Sequence, residues 1–125
     1  MILALVVFVG GLIGAPARYL VDAGVTKAAG KAMPWGTLAV NVIGSAVLGV
    51  LMGIASHGAL PPAVLSLVGT GFCGALTTFS TFSADTWKLL AAGSTGRALA
   101  NIAMNLVLGL AVVSLGYLLG RAIAG

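Results

Sequence analysis

The segment TTFSTFS, Thr77 to Ser83, gathers five hydroxyl-bearing residues and two phenylalanines into seven positions. Two polar stripes lie elsewhere in the chain. Thr37, Asn41 and Ser45 follow one another at i, i+4 and i+8, the spacing of one helix face, and Asn101, Asn105 and Gly109 repeat it. Within the cluster, Phe79 and Phe82 share a face and Thr78 and Thr81 share the adjacent one. Hydroxyls and amides donate hydrogen bonds, and the chain contains no glutamate. A cation filter built from side chains uses a ring of Asp or Glu, which is missing. A phenylalanine ring presents a positive edge, so Phe79 and Phe82 can meet an anion edge-on. Donors without carboxylates suit an anion or a neutral solute, and a small, strongly hydrated anion needs such dense donors to replace its water. The plainer alternative is that these groups join helices, at about 0.6 kcal/mol per contact.

Two ionisable residues bear on the same question. Arg18 follows Gly10 and Gly14 on one face of the first span; it either snorkels to the interface or draws anions into a vestibule. Asp85 lies three residues from both Phe82 and Lys88. An ionisable group at membrane depth is a functional candidate, while Lys88 offers it a structural partner. The single cysteine, Cys73, can form neither an internal disulfide nor a zinc site, and His57 receives no role. There is no nucleophile–base pair, metal-ligand cluster or phosphate loop, so the sequence does not describe an enzyme.

The elements that hold these residues follow from composition. Of 125 residues, 60% are hydrophobic and 6% charged, whereas a soluble domain carries about 25% charged residues. The chain is therefore an integral membrane protein of the lipid bilayer. Its six cations are scattered and fall mostly at span ends, so the net charge of +4 reflects topology and headgroups rather than nucleic acid. The first 21 residues have a small-x-small motif, Ala15-Pro16-Ala17, but lack a basic start. They read as a span, not a cleaved signal.

Four spans fit, over about 2–21, 35–55, 62–91 and 98–121. Pro34 and the pair Pro61-Pro62 stand at span starts, where a missing N–H is harmless. The third span has ~30 residues where about 20 cross a bilayer, and Gly69, Gly71 and Gly74 precede its hydroxyl cluster. Both features predict an all-α fold of four transmembrane helices, the third broken near its middle. Irregular backbone at membrane depth must be buried in protein or line a wet cavity. The cluster is thus internal, with backbone groups from Gly74 to Thr78 free for a ligand. Gly10/Gly14, Gly49/Gly53 and Gly116/Gly120 are small-xxx-small pairs that let helices approach closely. Four short spans enclose little room, which predicts an oligomer, most simply a dimer.

The segments GGLIGAPARY (Gly10 to Tyr19), PWGTLAVNVIGS (Pro34 to Ser45) and GTGFCGALTTFSTFS (Gly69 to Ser83) resemble the signature of the CrcB/Fluc fluoride channels. The likeness extends over the whole chain. It implies an antiparallel, dual-topology dimer with two pores that passively exports toxic fluoride across the inner (plasma) membrane of a prokaryote. It also implies a structural sodium ion at the dimer centre, held by backbone carbonyls that match Gly74 and Thr77. The paired pore phenylalanines match Phe79 and Phe82, and the pore asparagine matches Asn41. The hydroxyl track matches Thr78, Ser80 and Thr81, and the first-helix arginine matches Arg18. Thr37 and Asn105, from the two stripes, join them as pore candidates.

The chain departs from the family at three points. Asn101 and Asn105 stand where a tyrosine or serine track is expected, and Asp85 takes the place of a glutamate. Arg18, Lys27, Lys31, Lys88 and Arg97 lie on one side against Arg121 on the other, a bias that favours one orientation. A homodimer is expected; an oppositely oriented paralogue is the alternative. Among other functions, a proton-coupled drug exporter needs a buried acid in its first span, which has none before Asp22. An accessory subunit needs no polar stripes. Proton-coupled antiport of fluoride or another small solute, through Asp85, remains open.

Overall fold

The computed structural model describes residues 1–58 and 60–125. All regular structure among them is helical: α1 (Ile2–Ala29), α2 (Trp35–Ala55), α3 (Pro62–Val64), a π-helical segment (Leu65–Cys73), α4 (Gly74–Leu76), α5 (Phe79–Ala91) and α6 (Thr95–Ala124). α3, the π segment and α4 run on as one rod, and α5 continues it after a break. The chain therefore has four helical stretches long and apolar enough to cross a membrane.

The helices outrun the spans read from hydropathy. α1 has 28 residues, about 42 Å at 1.5 Å per residue, whereas the hydrocarbon core is about 30 Å thick. Asp22, Thr26 and Lys27, which hydropathy left in a connection, therefore stand on the last turns of α1. Alanine and lysine there are good helix formers, and the helix stops at Gly30, whose φ of 86° lies in the left-handed region.

Two glycine-lined interfaces fix the bundle. A Cβ on Gly49 or Gly53 of α2 would collide with the carbonyl oxygen of Val113 or Tyr117 of α6, and one on Gly120 with that of Val50. α2 and α6 therefore lie backbone to backbone. On the other side, a Cβ on Gly10 or Gly14 would meet the carbonyl of Leu67 or Phe72, which sets α1 against the π segment. In lipid, such close approach replaces the hydrophobic effect as the source of helix association. The truly buried side chains are few, Leu38, Val40, Cys73, Leu76 and Ala98 among them, while Leu5, Leu12, Leu110 and Leu118 point outward.

The π-helical turns of Leu65–Cys73 have no counterpart in the sequence expectation, which placed irregularity only near Gly74 to Thr78. The break itself lies in that expected stretch. Thr77 (φ −76°, ψ 157°) and Thr78 (φ −150°, ψ 125°) are extended, and α5 starts at the next residue.

Candidate ion pathway

The break is held open by one side chain. Thr78 N–H donates to Asn41 Oδ1 at 2.8 Å, and Asn41 Nδ2 donates back to the Thr78 carbonyl at 3.3 Å. The carboxamide of Asn41 thus pairs with Thr78 as a neighbouring strand would, giving extended backbone a partner at membrane depth. Four residues upstream, the Gly74 carbonyl loses the donor that a continued helix would bring. Thr77 turns back instead, its N–H (2.9 Å) and Oγ1 (2.8 Å) both donating to the Cys73 carbonyl. Thr78 then caps α5: its Oγ1 accepts from Thr81 N–H at 3.1 Å, which satisfies a donor left orphan by the helix start. The same hydroxyl bonds Ser80 Oγ at 3.3 Å and Thr81 Oγ1 at 3.2 Å.

Around this break lie three cavities. The largest, about 590 Å³, is walled by Asn41, Asn105, Thr77, Thr78, Phe79 and Phe82, with Gly74 at its edge. The two phenylalanine rings are 5.8 Å apart and inclined at 51°. Phe79 is 78% exposed on the single chain, so this cavity opens outward. A second, of about 210 Å³, places Arg18 opposite Thr37, Thr78 and Thr81. A third, of about 390 Å³, is lined by Thr37 and Thr81 together with Asp22, Asp85, Lys31 and Lys88. Thr78 is shared by the first two cavities, and Thr37 and Thr81 by the second and third. The hydroxyls therefore form a continuous track between the break and the lysine-bearing end of the bundle.

Every residue named from the sequence as a pore or sodium candidate walls one of these cavities except Ser80, which bonds Thr78; Asn101, from the fourth-span stripe, also walls none. Asp85 takes its hydrogen bond from Thr37 Oγ1, at 2.7 Å, rather than serving as a simple helix-surface partner of Lys88. Asn41 and Asn105 are bonded to each other, Nδ2 to Oδ1 at 3.1 Å. Among the wall residues that escaped the sequence reading as site candidates are Asp22, Lys31 and Thr70. The first two lie in what hydropathy treats as a connection, and only the extra turns of α1 bring Asp22 to the cavity.

Residues 5–117 match the family model described as CrcB-like protein, Camphor Resistance (CrcB). The chain belongs to the CrcB family. A relative from Frankia casuarinae, named Fluoride-specific ion channel FluC 1, is 45% identical across 97% of this chain and 98% of its own length. One from Shewanella woodyi, named Fluoride-specific ion channel FluC, is 46% identical across 90% of each chain. A third, Fluoride-specific ion channel FluC 1 from Nocardia farcinica, is 50% identical across 79% of this chain and 67% of its own. The matched range of the CrcB model includes the break, both phenylalanines, Arg18 and all three asparagines.

Proposed function

We propose that the chain is a fluoride-specific ion channel that releases fluoride passively across the plasma membrane of a prokaryote, in which it is a multi-pass protein. The observation that carries this is the break at Thr77–Thr78, clamped by Asn41 and opening on a cavity walled by hydroxyls and two inclined phenylalanines. Such a wall gives a small anion donors and ring edges in place of water, and its surroundings supply Arg18 as an attracting charge. The names of the relatives point the same way.

The working unit is an antiparallel homodimer with two pores. Gly74, Phe79, Ser80 and Ser83 are exposed on the single chain, yet broken backbone facing lipid is not tolerated. A second copy, turned over, brings an equivalent face to cover it. The four cations near the α1–α2 and α5–α6 connections, Lys27, Lys31, Lys88 and Arg97, then flank both sides of the membrane. A structural sodium fits the break: the carbonyls of Gly74 and Thr77, freed from the helical ladder, are neutral oxygen donors of the kind a hard cation takes. Sodium there would tie the two broken helices together.

The reading is tested by fluoride efflux from liposomes, with valinomycin carrying potassium as counter-ion. Rapid fluoride loss that needs valinomycin and leaves chloride behind is expected. The Thr37–Asp85 hydrogen bond within the track favours one second reading, proton-coupled antiport through Asp85. Efflux that ignores valinomycin and follows the pH gradient would select it.

A further inference from the structure

The chain has three asparagines and no glutamine, and all three carboxamides belong to one hydrogen-bonded relay. Asn41 Nδ2 donates to Asn105 Oδ1 at 3.1 Å. Asn105 Nδ2 donates to the carbonyl and Oδ1 of Asn101, at 2.9 and 3.1 Å. Asn101 Nδ2 donates to Thr86 Oγ1 at 2.9 Å, and Thr86 Oγ1 to the Phe82 carbonyl at 2.8 Å. Both ends of this relay dictate its direction. A backbone N–H only donates, so the oxygen of Asn41 must face Thr78; a backbone carbonyl only accepts, so Thr86 must donate to Phe82 and accept from Asn101. The two ends demand the same polarity, and every amide between them is fixed by it.

Asn105 and Asn41 wall the largest cavity, while Asn101 and Thr86 touch none of the three. Asn101 is 1% exposed and Thr86 9%. Among the described residues no buried side-chain polar atom is left without a partner. The relay leaves α5 at the helix cap, crosses α2 and α6, and returns to α5 one turn on, at a phenylalanine that walls the cavity. We propose that Asn101, anchored by Thr86, is a positioning residue of the ion pathway. It holds the amide of Asn105, and through it Asn41, in the one orientation that keeps the break at Thr78 open, and it does so without meeting the ion. This builds on the channel reading for its functional consequence.

Thr86→Val keeps the shape of the side chain and removes the hydroxyl, leaving the Asn101 NH2 without its partner in a dry site. Fluoride efflux per dimer should fall about tenfold, the effect of losing one buried hydrogen bond, while Thr86→Ser stays within about twofold of the wild type. With asparagine labelled by nitrogen-15, three NH2 groups are visible, and in Thr86→Val those of Asn105 and Asn41 should shift along with that of Asn101, although neither touches Thr86. Wild-type efflux in Thr86→Val, or equal loss in Thr86→Ser, would overturn the proposal. So would a shift confined to Asn101. Should Thr86→Val fail to fold, hydrogen exchange of the wild-type NH2 groups decides. Protection of Asn101 and Asn105 is expected, and exchange at the rate of free asparagine would refute the relay. If the wild type carried no fluoride, the channel reading would fail while the amide result stood by itself.

Discussion

The glycine-lined part of the α2–α6 interface and the junction of α2 with the start of α5 share a helix and differ in how they hold their neighbour. Along Gly49, Gly53, Gly116 and Gly120 the backbones touch through carbonyls and Cα atoms, with nothing polar to satisfy. At Asn41 the same helix meets extended backbone and supplies it with both a donor and an acceptor. The first contact needs only the absence of side chains and gives rigidity. The second needs one specific side chain and gives a place where a bilayer-spanning helix stops being a helix. A rigid half makes the irregular half possible, because lipid would otherwise close any gap left by unpaired backbone.

Substitutions can break this contrast from either side. Gly53→Val drives a side chain into the backbone of Tyr117 and Gly120, where no flexible group can give way. Overpacking usually costs about 1–3 kcal/mol, and with backbone on the far side the upper end is expected. The folded protein, as the proposed dimer, and fluoride flux should vanish together on size-exclusion chromatography and in the liposome assay. Asn41→Ala removes both bonds to Thr78 and the one to Asn105. Each buried group left unpaired costs about 1–3 kcal/mol, and about 1.4 kcal/mol is tenfold in an equilibrium. Flux should drop by roughly two orders of magnitude in protein that still elutes as a dimer. Loss of the dimer as well would make Asn41 a packing residue and erase the contrast.

Phe79→Ile keeps an apolar side chain and removes the ring edge. Because Phe79 is exposed on the single chain, the fold of each chain should hardly change, while flux falls about tenfold or more if ring edges replace water around the ion. Thr37→Val is the mildest test. It strips Asp85 of its 2.7 Å hydrogen bond and should alter flux only a few-fold, because Asp85 is only part-buried and water can take the place of the lost donor, which keeps the cost below the roughly 1.5–3 kcal/mol of a bond to a charged group. A Thr37→Val protein that lost all flux would move the pathway's centre toward Asp85.

Much of this was legible in the sequence. Hydropathy gave four spans, and the excess length of the third, with its glycines and hydroxyls, pointed to a broken helix near Thr77. Helical spacing aligned Thr37, Asn41 and Ser45 and set Asn101 beside Asn105. What spacing could not show was who bonds whom. That Asn41 takes both backbone groups of Thr78 depends on how α2 approaches the break, where Gly44 leaves room for the side chain of Thr77. The place of Asp22 at the cavity depended on α1 running to Ala29, where hydropathy falls but helix propensity does not. Nor does any side-chain pattern encode the i→i+5 hydrogen bonds of Leu65–Cys73.

On the proposed function, the hydroxyl and phenylalanine track conducts fluoride and rejects other anions. Current through the purified protein in a planar bilayer, with a tenfold fluoride gradient and equal chloride on both sides, tests it most directly. A reversal potential near the fluoride equilibrium value, about 59 mV for a monovalent ion, is predicted, with Phe79→Ile reducing the current. A reversal potential near zero, or no current from correctly assembled dimer, would contradict the account.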